Sequence, residues 1–179
     1  MTHAADAAAP APAAPDAKTL LVVWHSMTGG TRQMAHAVAD GAACEPALRT
    51  LLRHAPDADA ADVLGADGFV FATPENLAAM SGLMKEFFDR TYYAALDRIQ
   101  GRPYAVLVCA GSDGTHAARQ IERIATGWRL KAVAPALIVR TRAQTPEEIL
   151  RAKRIGADEL RRCRELGAAF AAGLALGIF

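Results

Sequence analysis

The sequence has only three cysteines in 179 residues, Cys44, Cys109 and Cys163, and they are scattered. They form no CxxC pair and no metal-ligand spacing. The expectation is therefore no metal site, and thiols packed as small apolar groups in a reduced, cytoplasmic protein. An excess of one charge is also missing. Twenty Lys and Arg face nineteen Asp and Glu, for a net charge of +1. This leaves neither a basic field for nucleic acid nor an acidic field for docking a cationic partner. There is no long apolar run. The stretch 167–179 is apolar but too short to span a bilayer, so no membrane partner is expected. It reads as the end of an amphipathic helix whose last residues lie on the domain or on a neighbouring subunit. The opening MTHAADAAAPAPAAPDA lacks the basic start and apolar centre of a signal peptide. Residues 1–17 read as a disordered Ala/Pro-rich tail, which leaves 18–179 for one domain with a substantial core.

What is present is an alternation of strand-like and helix-like runs. Thr19–Trp24 is continuously apolar apart from its first residue, as a strand buried on both faces should be. A helix follows from about Thr31, with Met34, Ala37, Val38 and Gly41 at helical spacing. Ala47–Leu52 is a weaker strand, and Asp59–Leu64 a short helix. Gly68–Ala72 is a second buried strand, ending at Thr73-Pro74. Beyond the loop 74–79 lies a helix with Leu83, Met84, Phe87 and Phe88 on one face. Tyr104–Cys109 is a further strand. It leads through 110–114 into a helix carrying Ala118, Ile121, Ile124, Ala125 and Trp128. Ala136–Val139 is the fifth strand. Pro146–Arg151 begins helical structure. From Asp158 a long helix steps through Leu160, Cys163, Gly167, Phe170 and Leu174. The alternation predicts an α/β fold, a five-stranded parallel sheet covered by helices on both faces. Order 2-1-3-4-5 is the natural candidate. Such sheets bind ligands at the strand carboxyl ends, so the loops after the first, third and fourth strands are the places to search.

The first of these loops is His25-Ser-Met-Thr-Gly-Gly-Thr31. Gly29 and Gly30 let the backbone curl so that several N–H groups converge on one anion. A helix start adds its free amides and positive dipole end. Hydroxyls of Ser26, Thr28 and Thr31 add further donors. The pattern is neither a Walker loop nor GxGxxG. Read from the residues alone, it is either a phosphate cup or an ordinary N-capped turn. Arg32 either approaches the anion or faces solvent. The loop after the third strand, Thr73-Pro-Glu-Asn-Leu-Ala-Ala-Met80, runs into a helix in which Lys85 and Asp89 stand four apart, the spacing of a surface ion pair. The loop after the fourth strand, Cys109-Ala-Gly-Ser-Asp-Gly-Thr115, combines glycines with short polar side chains. It is a capped turn, a ligand contact or both. His116 follows on the helix, either at the surface or at a substrate.

Ser26-Met-Thr-Gly-Gly-Thr31 resembles the FMN-phosphate loop of the flavodoxin family, with Gly30 where asparagine is usual. Thr73-Pro74 followed by Gly82, Lys85 and Asp89 resembles the second flavin loop of flavodoxin-like NAD(P)H-dependent quinone and FMN reductases. The resemblance covers roughly 19–173 and implies a three-layer flavodoxin-like fold holding FMN non-covalently. It implies three groups of cofactor contacts. Ser26, Met27, Thr28, Gly29, Gly30 and Thr31 hold the phosphate. Thr73, Pro74, Glu75, Asn76, Leu77 and Met80 edge the ring. Gly111, Ser112, Asp113 and Gly114 border its pyrimidine side. No side chain is expected to be catalytic, because the flavin carries the chemistry. The implied activity is hydride transfer from NADPH or NADH through FMN to a quinone, flavin or similar small acceptor. The alternative is a one-electron carrier that docks on protein partners. Two absences favour the reductase: carriers are usually acidic, and they usually sandwich the flavin between aromatics, which neither 74–79 nor 110–115 contains. Relatives of this kind are often dimers or tetramers. The apolar C-terminus and Trp128-Arg-Leu-Lys131 are the candidate contact surfaces.

Overall fold

The computed structural model describes residues 17–179, so the reading of 1–17 as a tail falls almost wholly outside the described residues. The chain runs β1 (Lys18–Trp24), α1 (Gly30–Ala42), β2 (Leu48–His54), α2 (Ala60–Gly65), β3 (Gly68–Asn76), β4 (Ala79–Met80), α3 (Gly82–Ala95), β5 (Pro103–Ala110), α4 (Thr115–Gly127), β6 (Lys131–Ala132), β7 (Leu137–Arg140), α5 (Pro146–Leu150) and α6 (Ala157–Ala175). The main sheet has the order β2-β1-β3-β5-β6, the expected 2-1-3-4-5 path, and all its pairings are parallel.

Alternation along the strands explains the layering. Leu21, Val23, Phe69 and Phe71 point to one face, where Met84, Phe87, Phe88 and Trp128 from the α3–α4 side cover them. Leu20, Val22, Val70 and Ala72 point to the other, under Met34, Val38, Phe170 and Leu174 of α1 and α6. Each buried Val, Leu, Phe or Met among them contributes about 1.5–3 kcal/mol. The two covering helices on the second face approach to backbone contact. A Cβ at Gly41 would stand 2.0 Å from the Arg164 carbonyl oxygen, and one at Gly167 would stand 2.0 Å from that of Val38.

Four details differ from the sequence reading. The fifth strand is interrupted: β6 pairs Tyr104 with Ala132, while β7 resumes at Leu107–Leu137. Two β5 residues therefore face four across 133–136, where Pro135 has no N–H to give the ladder. β3 does not stop at Thr73-Pro74 but continues to Asn76 and folds back antiparallel onto β4. Leu83 is exposed rather than on the buried face of α3. Trp128 is only 1% exposed, and its indole N–H donates to the Tyr92 carbonyl at 3.0 Å. It belongs to the core and offers no contact surface. Leu176 and Ile178 at the C-terminus do remain exposed, while Phe179 packs on Phe170. No helix among the described residues is long and apolar enough to cross a membrane.

Candidate functional site

The carboxyl ends of β1, β3 and β5 bring the three loops to one edge of the sheet, around a small cavity. The first loop leaves β1 at Trp24 and enters α1 through Gly29, whose φ of +85° is a left-handed conformation that suits glycine. The Gly29 N–H donates to Ser26 Oγ at 3.0 Å, which closes the turn. α1 has no side-chain cap at its N-terminus. The first N–H of the helix with a backbone acceptor is that of Gln33, bonded to Gly29. The amides of Gly30, Thr31 and Arg32 thus remain first-turn donors without intrahelical partners. The Thr31 hydroxyl is the most informative atom here. Thr31 is 1% exposed, and its Oγ1 has no hydrogen-bond partner among the described residues. A buried hydroxyl without a partner costs about 1–3 kcal/mol. A phosphate in the cup would satisfy it. The donor set therefore fits the 5′-phosphate of FMN.

Gly30 is fixed by packing. A Cβ there would lie 2.6 Å from Cys109 Sγ and 3.3 Å from Lys153 Cβ. An asparagine at that position would have to displace the Cys109 side chain.

The second loop is the tip of the β3–β4 hairpin. Pro74, Glu75 and Asn76 line the cavity, and the Asn76 amide reaches Met27 Sδ at 3.0 Å, bridging the first two loops. Thr73 faces inward: its hydroxyl accepts the Ser81 N–H at 3.0 Å and lies against Ser81 Oγ, so it braces the hairpin. Leu77 stands fully exposed at the tip, away from the cavity. Met80 is 6% exposed, packs into the α3–α4 core, and lines a separate groove with His116 and Gln120. Lys85 and Asp89 pair on the surface of α3. Of the third loop, Gly111 lines the cavity. Ser112 and Asp113 point outward, and Asp113 engages Thr115 and Arg140. Gly114, at φ +81°, starts α4, and a Cβ there would come 2.6 Å from Ile138.

The structure adds residues that the sequence alone does not place here. Thr141, Ala143, Ile149, Leu150 and Lys153 form the remaining wall. The segment carrying them is tied onto the first loop. The Lys153 N–H donates to Thr28 at 2.8 Å, and the Gln33 amide donates to Lys153 at 2.7 Å. The cavity itself is about 100 Å³, below the roughly 300–1,000 Å³ of small-molecule pockets. Ile149 and Leu150, both largely exposed, stand at its rim. Admitting a ring system requires these side chains, or the Met27–Asn76 bridge, to swing aside. Burial pushes the Cys109 thiol up to about 11, so it stays protonated and is no nucleophile. His25, beneath the first loop, is held below the ordinary histidine value by burial and by His54. Its Nδ1 has no partner among the described residues.

The chain is similar to known proteins in sequence and in fold. The family model described as NADPH-dependent FMN reductase matches residues 54–144, just over half the chain. A protein named flavodoxin from Aquifex aeolicus is 36% identical, over 52% of this chain and 48% of its own length. An NAD(P)H dehydrogenase (quinone) from Acidithiobacillus ferrooxidans is 32% identical, over 40% of this chain and 46% of its own. The chain thus spans about half the length of these curated relatives. Among solved structures, an archaeal flavodoxin superposes with TM-score 0.71 at 19% identity, covering 87% of this chain and 98% of that one. A WrbA-like flavodoxin from Agrobacterium tumefaciens gives 0.68 at 21%, covering 89% and 98%. At such identities the structures speak for the flavodoxin-like fold alone, whereas the family model spans β3, the hairpin, β5 and the loop that follows it. On that match the chain belongs to the NADPH-dependent FMN reductase family.

Proposed function

We propose that this protein binds FMN non-covalently at the β1, β3 and β5 carboxyl ends. We further propose that it works as an NAD(P)H-dependent reductase of a quinone, flavin or similar small acceptor. The observation that carries the reading is the buried, unpartnered Thr31 hydroxyl beside three free helix-start amides. That is a donor set waiting for a phosphate. When bound, FMN supplies the two-electron chemistry. The chain's own part is positioning. Ser26, Thr28 and Thr31 with the backbone of Met27, Gly29 and Gly30 hold the phosphate. Pro74, Glu75, Asn76 and Gly111 flank the ring end. Thr73, Leu77, Met80, Ser112, Asp113 and Gly114 act indirectly, by shaping the hairpin and the α4 turn. The Aquifex relative's name favours a second reading, a one-electron carrier. Against it stand the near-zero net charge and the lack of aromatics on either flavin-facing loop. The exposed Leu176 and Ile178 support a homo-oligomer, a dimer or tetramer.

The test is a visible spectrum of protein saturated with FMN and desalted, followed by anaerobic NADPH or NADH. A retained flavin that bleaches rapidly is expected. A retained flavin that neither nucleotide bleaches would favour the carrier. No retained flavin would remove the cofactor assignment.

A further inference from the structure

The wall from Thr141 to Lys153 closes the candidate flavin site without belonging to the core. Residues 144–152 are all exposed, and α5 within them buries no residue. Among the described residues, every hydrogen bond made by 143–152 runs to a residue of 143–153. The Thr145–Glu148 capping box folds the segment on itself, and the Lys153 ammonium caps the carbonyls of Glu148, Ile149 and Arg151. One anchor lies just past β7, where the Thr141 and Arg142 N–H groups donate to the Ala110 and Gly111 carbonyls at 2.8 Å. Arg142 is held there at φ +58°, a left-handed conformation that strains a non-glycine residue. The other anchor is Ile155, which is 5% exposed. Beside it, one side chain of α1 grips the segment. The Gln33 amide nitrogen donates to the Gly29 carbonyl at 2.9 Å and to the Lys153 carbonyl at 2.7 Å, and the amide oxygen accepts the Ile155 N–H at 3.2 Å. Both donors and the acceptor of the amide are thus engaged.

We propose that residues 143–153 form a lid on the FMN site and that Gln33 is its latch, a positioning residue that must let go before the cofactor enters; this rests on the FMN reading above. The cavity beneath, about 100 Å³, is too small for a flavin ring system while Ile149 and Leu150 stand at its rim. The lid is the part of the wall that can yield. Opening it exposes little buried apolar area and breaks few bonds, the features of a segment that opens locally. The bonds to break are those of Gln33 to Lys153 and Ile155, and that of the Lys153 N–H to the Thr28 carbonyl at 2.8 Å. The latch also couples the lid to the phosphate cup. Gly29, the left-handed residue of the first loop, accepts from both the main-chain and the side-chain nitrogen of Gln33. A phosphate that orders this loop therefore holds the latch in place and favours the closed lid. Leucine has nearly the shape of glutamine but neither donor nor acceptor, so Gln33→Leu removes the grip and keeps the bulk.

The test is stopped-flow FMN binding, read by quenching of flavin fluorescence, together with residue-resolved hydrogen exchange by NMR. In the wild type the observed association rate should level off at high FMN, because lid opening precedes entry. A rate that climbs linearly throughout would overturn the proposal with no variant needed. In Gln33→Leu, association and dissociation are both expected to quicken at least about tenfold, the scale of one or two lost hydrogen bonds, with Kd changed less than about threefold. Faster dissociation with unchanged association would overturn the latch, since Gln33 would then only prop the loaded cup. The Lys153 N–H is bonded to Thr28 and not to Gln33, so its exchange reports the lid rather than the loss of its own acceptor. It should exchange at least about tenfold faster in Gln33→Leu. The buried Val22 and Val70 amides of the sheet should exchange as in the wild type, which shows an intact fold. Unchanged exchange at Lys153 would also overturn the latch. That measurement needs no cofactor. If neither protein bound FMN, it would still decide the latch, and the cofactor reading alone would fall.

Discussion

The Thr31 hydroxyl separates ligand binding from folding in a single side chain. Thr31→Val removes a buried hydroxyl that the described residues leave unpaired. Stability should therefore hold or rise, while FMN affinity falls about tenfold for the lost hydrogen bond to a charged group. Fluorescence titration and thermal unfolding of the same sample read the two effects apart, and undiminished FMN affinity would remove Thr31 from the cup. Gly29→Val acts through the backbone. At φ +85° a β-branched residue is excluded on conformational grounds, since a Cβ there meets only the Gln33 side chain, at 4.0 Å. FMN binding should be abolished, and retained tight binding would sink the assignment. His25 gives a pH signature. Its folded-state value is depressed, so the unfolded chain takes up a proton near pH 6.5 that the folded chain refuses. Stability should fall as pH drops from about 7.5 to about 5.5, above the carboxylate range, and His25→Asn should flatten that slope. Equal slopes in the two proteins would remove His25 as the cause.

At the scale of elements, the β3–β4 hairpin shows where sequence reasoning runs out. Asn76 pairs with Ala79, so the turn has two central residues, Leu77 and Ala78, at φ +51° and +60°. Positive φ at both positions is the type I′ geometry, normally signalled by Asn-Gly or Asp-Gly. Leu-Ala carries no such signal, and Thr73-Pro74 reads instead as the end of the strand. What overrides local preference is tertiary: Ser81 bonded to Thr73, and the Met80 N–H held by Gln120 at 2.8 Å. Ala78→Gly should therefore stabilise the fold by about 0.5–1 kcal/mol, as relief of left-handed strain outweighs glycine's entropy. Denaturant unfolding measures this, and a destabilised variant would show that the turn is not under strain. The buried strands are legible for the opposite reason. Continuous apolar runs such as Leu20–Val23 are required wherever both faces are covered. The break at 133–136 is not legible, because a two-residue excess changes pairing register without changing hydropathy.

At the scale of the molecule, the first loop is legible because its chemistry is local, a glycine turn and a helix start within seven residues. The wall from 141 to 153 is not. Its residues lie more than a hundred positions from the loop they cover, and only a short helix with a capping box marks them in sequence. The charge balance, by contrast, is a whole-chain property that bears directly on enzyme against carrier. A carrier that docks on protein partners gains its rate from long-range attraction, and salt erases that gain. A chain of net charge +1 has little field with which to steer. An uncharged quinone gives such a field nothing to act on. With NADPH saturating, kcat/KM for an uncharged quinone should change less than about twofold between roughly 20 and 300 mM salt, a range over which the Debye length shrinks severalfold. Saturating NADPH matters, because binding of a charged nucleotide would otherwise add its own salt dependence. Negligible quinone turnover, alongside fast and strongly salt-sensitive electron transfer to a protein acceptor, would reverse the order of the two readings. It would also place the functional surface on the exposed rim around Leu77 and Ile149 rather than within the cavity.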